Sequence, residues 1–473
     1  MALVAVLTAG VLWAPASPVL GQSTEARVDS LFAEWNHPDS PGAAVAVLKD
    51  GEVVLERGYG SAQLEYGIPI TPATIFHVAS VSKQFTTFAV ALLAARGELS
   101  LDDDVRTHIP EFPDLGHTIT LRHLIHHTSG VRDQWELLSM AGWRLDDVIT
   151  KDHVLSLARR QQELNFEPGA EHLYSNMGYT LLAEVVERVG GLPFTEWMDE
   201  QVFAPLDMTS SHMHDDHQRV VPGRAYSYRG SRDRGWQNAV LSYANAGATS
   251  LFTTVGDLAR WITNLETGEL GGPEVLARMR EQGVLTNGDT IPYAFAIVRG
   301  ERRGRTTWSH GGADAGFRSN LLHIPDERLG VVVLGNAASF NAGAMAARVA
   351  DIFLGEEAEA ESTGPRGQRP DPPERPELTA EQLEEFAGDY FSPELEALYR
   401  LAVEGDTLVA RHVRHGDVAL TPLDDDEFTG ASWFLRRVAF TRDDRGLVDG
   451  FRVTGGRVRN LRFVRLAEGA LPE

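Results

Sequence analysis

Apolar and polar positions alternate with a period of two in AAVAVLKDGEVVLERGYG, the stretch after Gly42, and its two runs flank Lys49-Asp50-Gly51. Such alternation around a turn-forming triplet predicts a β-hairpin. A matching pair lies far downstream, where FRSNLLHI and LGVVVLGN flank Pro325-Asp326-Glu327. Strands from both ends of this region are therefore expected to share one antiparallel sheet. Between them the apolar period becomes helical, at residues 85–96, 181–189, 194–202 and 257–265. Thr254-x-x-Asp257 ahead of the last run reads as a capping box.

Past Phe353 the pattern breaks. EEAEAES is an acidic run and GPRGQRPDPPERPE is rich in proline and charge, as a linker is. Short alternating segments follow, among them ALYRLAVEG, DVALTPL and VRNLRFVRL, separated by Gly and Asp signals. They read as a small all-β barrel or sandwich. No solenoid period is visible. The expected organisation is an export signal at 1–21, a first domain at 22–360, a linker at 361–377 and a β domain at 378–473. The expected fold class is α+β: an antiparallel sheet flanked by helices, with a mainly helical subdomain, followed by a small β-barrel. Beyond a solvated linker the barrel is expected to be a separable module.

Composition narrows the classes of function. The chain has 473 residues and a hydrophobic fraction of 43%, which suits a soluble protein of two or three domains. A formal charge of −24 disfavours nucleic acid and anionic lipid as partners. The absence of cysteine excludes disulfides, thiolate catalysis, Cys-ligated zinc and a lipoprotein anchor. The apolar segment from Met1 to Gly21 ends in small residues, as an export signal does, and predicts a periplasmic or secreted location, although it lacks a positive n-region. Pro15 and Pro18 interrupt it below the roughly 18–20 apolar residues a stable span needs.

The chain uses arginine almost to the exclusion of lysine, so Lys49, Lys83 and Lys151 stand out. Lys83 lies three residues after Ser80 in Ser80-Val81-Ser82-Lys83. Arginine cannot be deprotonated in a protein whereas a buried lysine can, so a site that needs an amine base must keep lysine. The helix that follows has apolar Phe85, Phe88, Ala89, Leu92 and Leu93 and stops at Gly97. Ser80 is thus expected in its first turn, with Lys83 on the same face and the helix dipole favouring negative charge at the serine. A second cluster is Tyr174-Ser175-Asn176, after the turn Glu167-Pro168-Gly169; in an extended loop Tyr174 and Asn176 point the same way. A third is His310-Gly311-Gly312-Ala313, at the end of the strand-like RTTWSH. There the glycines would let a ligand approach the strand, and an N–H would pair with that of Ser80 as an oxyanion hole.

Taken together, these motifs resemble the serine β-lactamase and penicillin-binding-protein superfamily, whose signature is S-x-x-K, then Y-x-N or S-D-N, then K-T-G. FHVASVSKQFT, LSLDDDV, ITLRHLIHHTSG, FEPGAEHLYSNMGY and AGATSLFTTVGDLARW add to the likeness, which is nearest to the class C-like branch and covers residues 28–354 or so. The β region resembles the lipocalin-like domain attached to some members. The resemblance implies an acyl-enzyme on Ser80, with Lys83 and Tyr174 moving the proton. Asn176 would orient Lys83 or substrate, the amides of Ser80 and Ala313 would bind the oxyanion, and His310, Gly311 and Gly312 would contact substrate. It implies an esterase, D-aminopeptidase or D-Ala-D-Ala carboxypeptidase, acting on a small ester, peptide or β-lactam-like substrate, with no cofactor and no metal. Homo-oligomerisation through the C-terminal domain is a further expectation. His310 stands where the lysine of K-T-G would be, which weakens recognition of a substrate carboxylate.

Three alternatives compete. One is a true class C β-lactamase; another is a penicillin-sensor-like binding protein that does not turn over. The third is a zinc hydrolase, because His212, His214, Asp216 and His217 match H-x-H-x-D-H. That stretch follows a helical segment rather than a strand, so a solvated loop is expected there. His126-His127 reads as a helix end or turn.

Overall fold

The computed structural model describes residues 23–356, 376–467 and 469. The export signal at 1–21 and most of the linker lie outside these residues.

The two hairpins meet in one six-stranded antiparallel sheet, in the order Val298–Arg302, Arg305–Asp314, Phe317–Ile324, Leu329–Gly335, Ala43–Lys49, Glu52–Tyr59. Its centre is the pairing of Ala43 with Gly335 through Lys49 with Leu329, which joins the first strand of the domain to the last. Period two assigns the side chains. Ala43, Val45 and Val47 pack with Val28, Phe32, Val331 and Val349 on one face, under the helices Thr24–Leu31 and Ala342–Phe353. Ala44, Ala46 and Leu48 pack with Phe85, Trp261 and Val332 on the other. A central strand buried on both faces must be apolar along its buried length, as this one is from Ala43 to Leu48.

The helices follow the apolar periods. Those expected at 85–96, 181–189 and 257–265 are Ser82–Ala95, Asn176–Gly190 and Val255–Thr267, whereas the run at 194–202 divides into Phe194–Met198 and a wider turn at Asp199–Phe203. Thr254 accepts from the Asp257 N–H, so half of the capping box forms; the Asp257 carboxylate turns instead to Ser210 N and Ser211 Oγ. Ser82–Ala95 is buried from Ser82 to Leu93, and its polar residues carry partners: Ser82 Oγ donates to Ala79 O, Gln84 accepts from Trp261 Nε1, and Thr86 donates to Gly247 O. Gly97, at φ +73°, lets the chain leave the helix.

Residues 388–465 form a closed antiparallel barrel of eight strands, sealed where Gly388–Ser392 pairs with Leu461–Arg465. Phe386, Tyr390, Phe428, Phe440, Phe451 and Phe463 are buried in mutual ring contact, mostly edge to face, and fill its interior. A small eight-stranded barrel has room for little more.

The barrel is not the free module its linker suggested. One apolar core runs continuously from the helical region into it. Polar seams reinforce this: Tyr399 Oη donates to Met140 O (2.9 Å), Arg452 bonds Glu163 (2.8 Å), and Asn165 bridges Arg457 O (2.9 Å) and Arg459 N (2.8 Å). Arg132, 1% exposed, donates to Glu394, 5% exposed, at 2.5 Å and to Arg459 O at 3.0 Å. The composition of a linker carries no information about what docks beyond it.

Removing one member of a buried ion pair strands the other charge. Arg132→Ala is therefore expected to lower stability by about 3–5 kcal/mol in urea unfolding, and a chain ending near residue 362 should expose its apolar seam and aggregate. A loss under about 1 kcal/mol would show that this pair does not couple the two parts.

Candidate active site

Ser80 stands in the single turn Ala79–Val81 that leads into Ser82–Ala95. Ala79 there has φ +49°, a left-handed conformation costly for a residue with a Cβ. The turn is pinned because Ser82 Oγ also accepts from Leu251 N (2.9 Å) and Ser319 Oγ donates to Val78 O (2.7 Å). Lys83, one turn on, is wholly buried. Its Nζ reaches Ser80 Oγ (3.2 Å), Asn176 Oδ1 (2.8 Å) and Ala248 O (2.5 Å).

Those three partners suit either protonation state. As an ammonium, Lys83 donates to all three; as a neutral amine, it donates to Asn176 and Ala248 and presents its lone pair to the Ser80 hydroxyl. Burial favours the neutral form and, against the attraction of Asp133, brings the amine down to about 7.

Tyr174 and Asn176 converge on this amine as their spacing suggested, although Asn176 opens a helix rather than lying in an extended loop. The Tyr174 ring centroid is 4.9 Å from Lys83 Nζ and 4.7 Å from Arg457 Cζ. Burial holds the Tyr174 phenol well above its ordinary value, and the neighbouring Ser80 hydroxyl only partly offsets this. Its hydroxyl is buried without a hydrogen bond of ordinary length.

Asp133 was not foreseen. It caps the helix Gln134–Met140 with one oxygen and with Oδ2 accepts from Asn176 N (2.8 Å) and Nδ2 (2.7 Å), which fixes the amide so that Oδ1 faces Lys83. Arg457 was not foreseen either; it enters from the barrel, with Nη1 3.8 Å from Asp133 Oδ2. A cavity of about 660 Å³ lies over Ser80, walled by His310 to Asp314 on one side and by Trp433, Arg436 and Arg457 of the barrel on another.

Gly312 is required, but by protein rather than by ligand: a Cβ there would stand 2.3 Å from both Val78 O and Ser319 Oγ. Gly311 has ordinary room. Ala313 follows, paired with Arg318.

His310 corrects the reading of its motif. Ser175 N–H donates to His127 Nδ1 (3.1 Å), so His127 carries its proton on Nε2 and donates to Tyr293 Oη (3.2 Å). Tyr293 Oη then donates to His310 Nε2 (3.0 Å), and His310 Nδ1 donates to Gly311 O (2.7 Å). Both ring nitrogens are bonded inside the protein, so the imidazole joins the Y-S-N loop to the H-G-G strand while its face still lines the cavity. Burial, then the Lys83 charge, takes it down to about 4.

His212 and His214 also depart from expectation. They are buried rather than solvated: His212–Met213 pairs with Leu251–Thr253, and both rings lie against Phe252. Asp216 and His217 are exposed, and among the described residues no group of three or more suitable side chains is placed to hold a metal ion. The four residues of the zinc motif do not come together. His126 caps the helix Leu121–Ile125 and His127 follows at φ +57°, the helix end their spacing suggested.

A serine in hydrogen-bond contact with a buried lysine, in the turn that leads into a helix of a mixed α/β domain, is the feature this site is built on. The family described as Beta-lactamase matches residues 28–354, and the chain belongs to that family. Its relatives include the D-aminopeptidase of Gluconobacter oxydans, 31% identical over 316 residues, and that of Brucella anthropi, 31% identical over 318; each match covers 67% of this chain and 59% of the relative. The chain thus spans about three fifths of the length of the curated relatives it matches. Among solved structures, the octameric penicillin-binding protein homologue from Pyrococcus abyssi superposes with a TM-score of 0.62 at 22% identity, covering 93% of this chain and 99% of that one.

Buried histidines set a limit on acid stability. Burial lowers His126, His212, His214 and His310 to about 4. Unfolding restores an ordinary value near 6.5, so below that pH the unfolded chain binds more protons than the folded one. The unfolding free energy is expected to fall steadily as pH drops from about 6.5 towards 4. Urea midpoints measured at intervals across that window check this; a flat profile would show that these rings titrate in the folded state.

Proposed function

We propose that the chain is a serine hydrolase that cleaves peptide, amide or ester bonds through an acyl-enzyme on Ser80. The observation that supports this most directly is the buried Lys83 amine, held by Asn176 Oδ1 and Ala248 O with its remaining valence on Ser80 Oγ. At about 7, half of the amines are unprotonated at neutral pH, against about 1 in 2,500 for an ordinary lysine. The Tyr174 phenol is shifted the other way. Lys83 is therefore the base in acylation, and Tyr174 the neutral donor.

In the proposed reaction, the Ser80 proton passes to Lys83 Nζ as Oγ bonds to the carbonyl carbon. The N–H groups of Ser80 and Ala313 receive the oxyanion. The C–N or C–O bond then breaks, the leaving group takes a proton from Lys83 by way of Tyr174, and water attacks the acyl-enzyme with Lys83 again as base. Peptide bonds next to D-residues are the preferred physiological class, in line with the D-aminopeptidase relatives. Association of copies through the barrel is part of the same reading, prompted by the octameric neighbour.

Labelling with a fluorophosphonate should add its mass to the Ser80 peptide, and Ser80→Ala should lose both label and turnover of an activated ester, with EDTA without effect on the wild type. Acylation should rise with pH through about 7, as Lys83 loses its proton. Lys83→Arg should fall by about 10³-fold or more and Tyr174→Phe by about 10²-fold. A Lys83→Arg protein with near-normal acylation would sink the assignment.

A further inference from the structure

The turn between the last two barrel strands, Val448–Thr454 and Leu461–Arg465, enters the catalytic cavity. It is fastened there. The buried Glu136 carboxylate accepts from Gly456 N (2.6 Å) and from Arg457 N, and Asn165 Nδ2 donates to Arg457 O (2.9 Å). Gly455 lies so close that a Cβ would stand 1.9 Å from Glu136 Oε1. These contacts hold the Arg457 guanidinium 3.8 Å from Asp133 Oδ2, the oxygen that carries both Asn176 bonds, and Asn176 in turn carries Lys83.

We propose that Arg457 is a positioning residue for the catalytic base: by countering Asp133 it sets the pH at which Lys83 becomes unprotonated, so the barrel completes the active site in cis. The inference rests on the hydrolase reading for its kinetic consequence but not for its electrostatics.

The argument is one of uncompensated charge. Asp133 is buried and joined to Lys83 through a single amide, so its negative charge alone favours the ammonium. Arg457 opposes that, and as a guanidinium it stays charged throughout the working range. The other groups facing Lys83 leave these two dominant. Asp314, at the end of Arg305–Asp314, adds a smaller attraction and is occupied by Thr249 (3.1 Å) and Tyr243 (3.2 Å). Tyr174 and Tyr179 are held neutral by burial, as are His127 and His310.

The three lysines make a direct test practical. With lysine carrying ¹³C at Cε, the full-length protein gives three signals, and Lys83→Met identifies the one from Lys83. Its titration midpoint is expected to rise by about 0.5–1 unit in Arg457→Met, which keeps side-chain length without charge, and to stay near the wild-type value in Arg457→Lys. Asp133→Asn should move it down. The alkaline limb of Ser80 acylation should follow each shift. An unchanged Lys83 midpoint in Arg457→Met overturns the inference, as does an upward shift in Asp133→Asn. A midpoint that moves as expected in a protein whose Ser80 is never acylated sinks the hydrolase reading and leaves the coupling standing.

Discussion

An amine buried without a carboxylate in contact is the constraint around which this molecule is arranged. Lys83 is fully enclosed, and its hydrogen-bond partners are an amide oxygen, a backbone carbonyl and a hydroxyl. Burying a charged ammonium on those terms is unfavourable, and the protein resolves the conflict by letting the amine become neutral near physiological pH. An acidic partner in direct contact would have fixed the charge. Asp133 is kept one residue away, with Asn176 between it and Lys83. The same burial that depresses Lys83 raises Tyr174, so one desolvated pocket moves the two groups in opposite directions.

That enclosure needs walls that do not yield. The first and last strands of the family-matched domain pair at its centre, and the Arg305–Asp314 strand joins them through its neighbour Phe317–Ile324. Gly312 passes against Val78 with no space for a side chain, which sets the gap between the strand and the serine turn. The His127, Tyr293 and His310 chain ties the strand to the Tyr174 loop. Its rings are neutral, so it acts as a strut whose geometry does not change with pH above about 6.

What could be read from sequence divides along the range of the interactions. Ser80 and Lys83 are legible because i and i+3 on a helix meet whatever the tertiary fold, and the hairpins because period two and a turn triplet are local. Tyr174 and Asn176 lie together for a reason other than the extended loop expected, since Asn176 opens a helix. His310 was misread because its motif position gives no hint that Tyr293 and Gly311 occupy both its nitrogens. The burial of His212 and His214 was hidden because a two-residue strand leaves no periodic trace. Asp133 looks like an ordinary helix cap, which it also is. Arg457 sits in a Gly-Gly-Arg turn of a barrel that composition alone suggested was separate.

The near-exclusive use of arginine acquires a meaning in this light. Ion pairs across the barrel seam, such as those of Arg132, Arg452 and Arg459, need charge that does not titrate and a planar fork that can bond two partners. Arg457 needs only a charge that persists while Lys83 titrates, which a lysine of ordinary value in that place would also supply. Lys83 needs the opposite property and is the lysine that burial isolates; Lys49 and Lys151 remain part-exposed beside Glu327, and beside Glu184 and Glu187, where either cation would serve. The effect of Arg457 falls with distance, so it persists only while the seam holds the turn still. Stability of the interface and reactivity of the amine are therefore one requirement, met by the Glu136 and Asn165 contacts that seat the turn.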